Sequence, residues 1–218
     1  MLSSEEQADF LSALAAVERV ALNQLSANRE LPFAIAFIAK LQHGVDQVVH
    51  AAMDQGEKLD CRAGCSHCCN FRVEALEPEI FRIARELKKL SPEKLAELVG
   101  RLQSHAAMAK GVSVWDYRIA CPFLAENLCS IYPVRPAVCR KAHSFEVGKC
   151  EIAGAEIPQS LNIVLRTEAL MKGTANAYGK VGLPASGHEL GQAVLFALTD
   201  ETAESRWHEG RAVFDEVC

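Results

Sequence analysis

Nine of the 218 residues are cysteine, and eight of these fall between Cys61 and Cys150. They form two groups. The first reads Cys61-Arg-Ala-Gly-Cys65-Ser-His-Cys68-Cys69; the second comprises Cys121, Cys129, Cys139 and Cys150. The Cys65 to Cys68 step is a Cys-x-x-Cys turn, short enough to aim two thiolates at one ion. Four thiolates about 2.3 Å from a centre satisfy zinc, and four also hold an iron–sulfur cluster. An all-sulfur donor set disfavours magnesium and calcium, which take oxygen. The adjacent pair Cys68–Cys69 constrains the geometry, because neighbouring side chains point to opposite faces of a strand and diverge by about 100° on a helix. Three arrangements fit: one site drawing on both groups, two sites sharing eight sulfurs, or a site that leaves one of the pair as a spare buried thiol. Zinc predicts a closed structural knot, and an iron–sulfur cluster predicts electron transfer or a redox-sensitive structure. Cys218, terminal and isolated, is not expected to be a ligand.

The residues around the cysteines carry further chemistry. Arg135 and Arg140 bracket Cys139, where cationic donors would offset thiolate charge and hydrogen-bond the sulfurs; the competing reading is an ordinary salt bridge. Pro133 and Pro136 fix backbone angles ahead of Cys139. His67 and His143 are candidate ligands or proton donors, although the excess of thiols favours a place beside the metal. Phe123 and Tyr132 either shield the site or pack as ordinary core. The remaining histidines His43, His50, His105 and His208 are expected at the surface, and His188 inside a helix cap. No Walker-type loop, Rossmann glycine pattern or Ser-His-Asp signature appears, so the sequence names no reaction.

These residues need a scaffold that the composition permits. Half of the chain is apolar and 23% is charged, which supports a buried core and excludes global disorder. The net charge of −5 and an aromatic content of 6% argue against nucleic acid as a partner. The apolar run from Leu31 to Ala39 is far short of the ~20 residues needed to cross a bilayer, so no membrane partner is expected. The N-terminal residues carry neither a basic nor an apolar signal-like run, which leads to the expectation of a cytoplasmic protein. Thiols stay reduced there, and a cysteine cluster then points to metal rather than to disulfides.

Hydrophobic spacing predicts helices over 4–26, on Phe10, Leu14, Val17 and Ala21, and over 33–55, on Leu41, Val45, Val48 and Ala52. Residues 57–70 should be irregular, and Phe71 to Leu76 alternates weakly as a strand does. A stripe of Ile80, Ile83, Leu87 and Leu90 predicts a helix after Pro78, and Ser91 caps another. Residues 111–150 are loop-rich. Leu161 to Ala177 is helical, Ser186-Gly-His-Glu189 has capping-box spacing before Leu190 to Leu198, and Asp200 suits the cap of a last helix carrying Trp207 and Phe214. The expected fold is mostly α: one domain over residues 1–218, with 57–151 as its loop-rich, cysteine-ligated metal core and helical N- and C-terminal extensions packed on it.

The stretches Gly-Cys65-Ser-His-Cys68-Cys69, Cys121-Pro-Phe-Leu and Cys129-Ser-Ile-Tyr-Pro-Val-Arg-Pro-Ala-Val-Cys139-Arg resemble the YkgJ-like cysteine-cluster family, known by a CxxCxxCC signature. The resemblance covers about residues 57–151, with matching elements as far as Trp207-His-Glu-Gly210. It implies zinc or iron chelation and, in many descriptions, an iron–sulfur cluster; it implies no substrate or reaction. One departure is that three residues, not two, separate Cys61 from Cys65. The expected metal ligands are Cys61, Cys65, Cys68, Cys69, Cys121, Cys129, Cys139 and Cys150, with Arg135, Arg140 and His143 against the cofactor. The function expected is metal binding through an iron–sulfur cluster or zinc, with an unidentified protein or small-molecule partner. The alternatives are a zinc-stapled structural or docking module, and an enzyme using the cluster structurally.

Overall fold

The computed structural model describes residues 2–152 and 154–215; Cys218 lies outside them. The described residues form nine α-helices and two small antiparallel sheets, so the chain is mostly α as expected. Helix α1 spans Ser4–Ala27. It begins at a reciprocal cap in which Glu6 N–H donates to Ser3 Oγ and Ser3 N–H donates to Glu6 Oε2. Helix α2 spans Leu31–Asp54 with Pro32 in its first turn, and buries Leu41, Val45, Val48 and Ala52 as the periodicity predicts. Gly56, at φ +100°, turns the chain out of α2 in a conformation that side chains resist.

A two-part strand system closes the middle of the molecule. Strand β1, Glu74–Leu76, pairs antiparallel with β4, Gly187–Glu189, with Ala75 opposite His188. Helix α3, Glu77–Leu87, follows β1, and α4, Pro92–Ala109, follows the Ser91 cap. The α3 stripe stops one turn early: Leu87 is buried but Leu90 is 40% exposed beyond the helix end. Strands β2, Leu124–Ala125, and β3, Leu128–Cys129, form a hairpin around Glu126 and Asn127, both at positive φ as a two-residue primed turn requires. Short helices α5, Ala137–Lys141, and α6, Val147–Cys150, complete the loop-rich region. Helix α7, Leu161–Lys180, packs along α1 and α2, and α8, Leu190–Thr199, lies on α3 and α4.

Three expectations need correction here. Residues 187–189 are a strand rather than a capping box, because their backbone completes the ladder with β1; the cap of α8 is the Glu189 carboxylate, which accepts Gln192 N–H at 2.8 Å. His188 sits in that strand, buried, with Nε2 3.0 Å from Glu77 Oε1. Helix α9 covers only Ala203–His208, so Phe214 lies past it, and Asp200 accepts Thr202 N–H from two residues ahead of that cap. Phe214 is nonetheless fully buried, its ring tilted against Phe81 at 5.3 Å, and Phe81 also meets Trp207 at 5.3 Å. This aromatic group joins α3 to the C-terminal segment within the same buried cluster that holds α2 and α8.

Candidate metal centre

The first cysteine group runs through an irregular segment and ends in a single 3₁₀ turn, His67–Asn70. Such a turn advances about 120° per residue, so the backbone launches His67, Cys68 and Cys69 in different directions, although the Cys68 and Cys69 sulfurs still meet. The second group is delivered by separate devices. Cys121 N–H donates to Cys69 C=O at 2.7 Å, splicing the two groups backbone to backbone. The hairpin puts Cys129 opposite Leu124, three residues from Cys121. Pro136 starts α5, which carries Cys139. Cys150 ends α6.

Electrostatics show which thiols are neighbours. Burial pushes Cys139 up strongly, and the charges of Cys121, Cys68 and Cys129 add to it. Burial pushes Cys121 up to about 11, with Cys129 and Cys68 again contributing. Burial also raises Cys129, against the pull of Ile131 N–H and the Arg135 charge. Within the vicinal pair, Cys68 donates to Cys69 sulfur; this raises Cys68 and lowers Cys69, making Cys69 the easier thiolate. Cys61 responds first to burial, then to Ser144 N–H, then to Cys65, Cys68 and Cys150. Sulfurs from both sequence groups therefore come within reach of one another's charge. Among the described residues, no three His, Cys, Asp or Glu side chains stand around a common point as a formed coordination shell. The thiols are an assembled neighbourhood, and a cation that displaced their protons would offset the burial, and after it the mutual repulsion, that raise them.

The two arginines divide their work. Arg140 spends its guanidinium on the protein: Nε to Arg135 C=O at 2.9 Å, one terminal nitrogen to Pro133 C=O at 2.8 Å, the other to Asp46 at 2.5 Å. It clamps the Pro133–Arg135 turn to α2. Arg135 lies over the Tyr132 ring at 4.1 Å, and its Nε is buried with no partner, while its charge reaches Cys68 and Cys129. That unspent donor suits an acceptor sulfur of a bound group. Tyr132 is exposed beneath it, whereas Phe123 is fully buried core. Both ring nitrogens of His143 are engaged, Nδ1 with Lys141 C=O at 2.6 Å and Nε2 accepting from Ser160 N–H at 2.9 Å, which leaves neither for a ligand.

Sequence reasoning missed two buried carboxylates that hold the site. Glu79 accepts Ala137 N–H at 2.7 Å, Gln42 Nε2 at 3.1 Å and Leu76 N–H at 3.2 Å, so it fixes the first residue of the Cys139 helix to α2 and β1. Burial pushes its carboxyl up, against those three donors. Glu189 meets His105 Nε2 and Tyr117 Oη, each at 3.1 Å, and His105 Nδ1 meets Ala120 C=O at 3.2 Å, directly ahead of Cys121. His105 is thus buried, not at the surface, and it is packed so closely that a Cβ at Gly191 would come within 2.3 Å of its ring. A polar residue on an otherwise apolar helix face was the available signal.

Burial raises Glu189, but the bonds from His105, Gln192 N–H and Gly191 N–H outweigh it, and the carboxyl falls below 4.5. A carboxylate lowered in the folded state adds stability above its unfolded value, and this is lost as pH falls through the folded value. The stability advantage of wild type over Glu189→Gln should therefore be full above about pH 5 and shrink on acidification, as read by urea midpoints across pH. An advantage that does not change with pH would contradict the assignment.

No helix among the described residues is long and apolar enough to cross a membrane. No curated protein and no solved structure matches the chain. Residues 60–158, a little under half of the chain, match the family model CxxCxxCC, described as "Putative zinc- or iron-chelating domain", which is the family that the cysteine motifs resemble.

Proposed function

We propose that the chain binds iron as an iron–sulfur cluster, through Cys69, Cys121, Cys129 and Cys139 with Cys68 beside them, in the reducing cytoplasm. The family description supports chelation of zinc or iron. The observation that carries the choice of a cluster is Arg135: a buried, unpartnered Nε–H whose charge reaches Cys68 and Cys129. Hydrogen bonds to sulfur and compensating positive charge tune cluster potentials, which gives the Arg135 donor a redox role that it would lack beside a closed structural zinc. The centre would exchange electrons with a protein or small-molecule partner.

Anaerobic isolation should give a brown protein absorbing near ~400 nm, with iron and acid-labile sulfide in matching amounts. Cys139→Ser should lose both the colour and the iron. A colourless anaerobic product holding stoichiometric zinc would replace the proposal with a zinc-stapled module.

A further inference from the structure

We propose that His105 is a positioning residue of the metal centre, holding Cys121 against Cys69 through the peptide that joins Ala120 to Cys121. This rests on the reading that Cys69 and Cys121 serve one centre. That peptide is bonded at both ends: its C=O meets His105 Nδ1 at 3.2 Å, and its N–H donates to Cys69 C=O at 2.7 Å. A carbonyl only accepts, so Nδ1 carries the proton and the imidazole is the donor. Residues 117–121 lie in no helix or strand, so no repeating backbone pattern fixes this peptide, and the two bonds do so instead. A peptide that turned would carry the Cys121 side chain with it.

The imidazole is itself held in place. Its Nε2 lies 3.1 Å from Glu189 Oε1 and 2.9 Å from Tyr117 Oη, and Tyr117 Oη meets the same carboxylate oxygen at 3.1 Å. The other oxygen, Glu189 Oε2, accepts Gln192 N–H at 2.8 Å, so the carboxylate cannot turn freely. Gly191 admits the ring where a Cβ would lie 2.3 Å from its Cδ2. A line of hydrogen bonds thus runs from β4 through His105 and one peptide to Cys69. The same strand offers a built-in contrast. His188, also buried, meets Glu77 at 3.0 Å and rests its ring 5.2 Å from Phe214, but among the described residues no hydrogen bond joins its side chain to a cysteine segment. Two imidazole–carboxylate pairs meet on β4, and only one reaches the metal centre. Groups that orient a ligand from behind are worth about 10–100-fold in metal affinity.

The test compares full chains isolated without oxygen. His105→Gln keeps a donor for Glu189 at the place of Nε2 and loses the one at Nδ1; His105→Asn does the reverse. His105→Gln should hold its metal about tenfold more weakly against a chelator and show altered visible circular dichroism, and His105→Asn should recover most of both. His188→Gln, at the contrasting pair, should lower the melting temperature yet leave affinity and spectrum unchanged. Wild-type affinity and spectrum in His105→Gln, no recovery in a folded His105→Asn, or equal changes in His188→Gln would overturn the assignment. Where a variant fails to fold, nitrogen NMR of the wild-type chain decides: His105 Nδ1 should be protonated and its resonance should move on metal loading, while those of His188 stay. A His105 Nδ1 resonance indifferent to loading would overturn it equally. Failure of the cluster reading looks different: wild type is colourless, and the same comparisons are then read from the bands of the cobalt(II)-loaded chain.

Discussion

Glu79→Ala is expected to lower the unfolding free energy by about 3 kcal/mol, the cost of leaving one buried and one partly buried amide without an acceptor. The carboxylate is 1% exposed and accepts Ala137 N–H and Leu76 N–H, and alanine offers neither an acceptor in its place. Gln42 loses its anchor in the same step, and with it the support for Arg82, which donates to Gln42 Oε1 at 2.5 Å. Glu79→Gln keeps one carbonyl acceptor but turns an amide toward a backbone N–H, so its stability should fall between wild type and the alanine variant. The reading is a urea midpoint shift at constant slope. An alanine variant within about 0.5 kcal/mol of wild type, the range of an ordinary surface change, would mean that the network does not hold the Cys139 helix.

The same glycine-to-alanine exchange should have opposite signs at two helical positions. In the interior of a helix alanine is favoured over glycine by about 1 kcal/mol. At Gly100, in α4, a Cβ would meet nothing within 4 Å, so Gly100→Ala should stabilise by about that amount. At Gly173, in α7, the Cβ would lie 2.8 Å from Leu14 C=O and 2.9 Å from Val17 Cβ and Cγ1. A backbone oxygen cannot rotate away. Helices α1 and α7 must part along their shared face, and overpacking of this kind costs about 1–3 kcal/mol. We expect Gly173→Ala to be net destabilising by about 1 kcal/mol, with melting of α1 first, as reported by early hydrogen exchange in Ala21 and Leu25. Equal midpoints for the two variants would refute the close approach.

The parts of this fold that were legible in the sequence are those written in local spacing. Leu41, Val45, Val48 and Ala52 announce α2 because a buried stripe recurs every three or four residues. Ser91 announces α4 because a hydroxyl at that point satisfies Lys94 N–H. The cysteine groups and the prolines around Cys139 are likewise local patterns. What escaped is long-range. The Glu77–His188 and Glu189–His105 contacts join residues 111 and 84 positions apart, and nothing in either flank records the partner. His105 reads as surface because it lies on a helix of mixed polarity; only the arrival of β4 and Tyr117 buries it. Ser186 to Glu189 misled because a strand residue that also caps the next helix has the composition of a capping box. The vicinal cysteines were ambiguous for the same reason: a 3₁₀ turn of four residues leaves no periodic trace, yet it decides which way each sulfur faces.

The pairing of β1 with β4 also orders events during synthesis. All eight clustered thiols leave the ribosome before Gly187 does. A nascent chain at that stage offers every sulfur to the surrounding metal pool while Tyr117 and His105 still wait for Glu189 behind Cys121. Metal capture on the growing polypeptide would therefore precede the locking of its rear wall, and synthesis of the β4 segment would close that wall behind whatever had already been taken up.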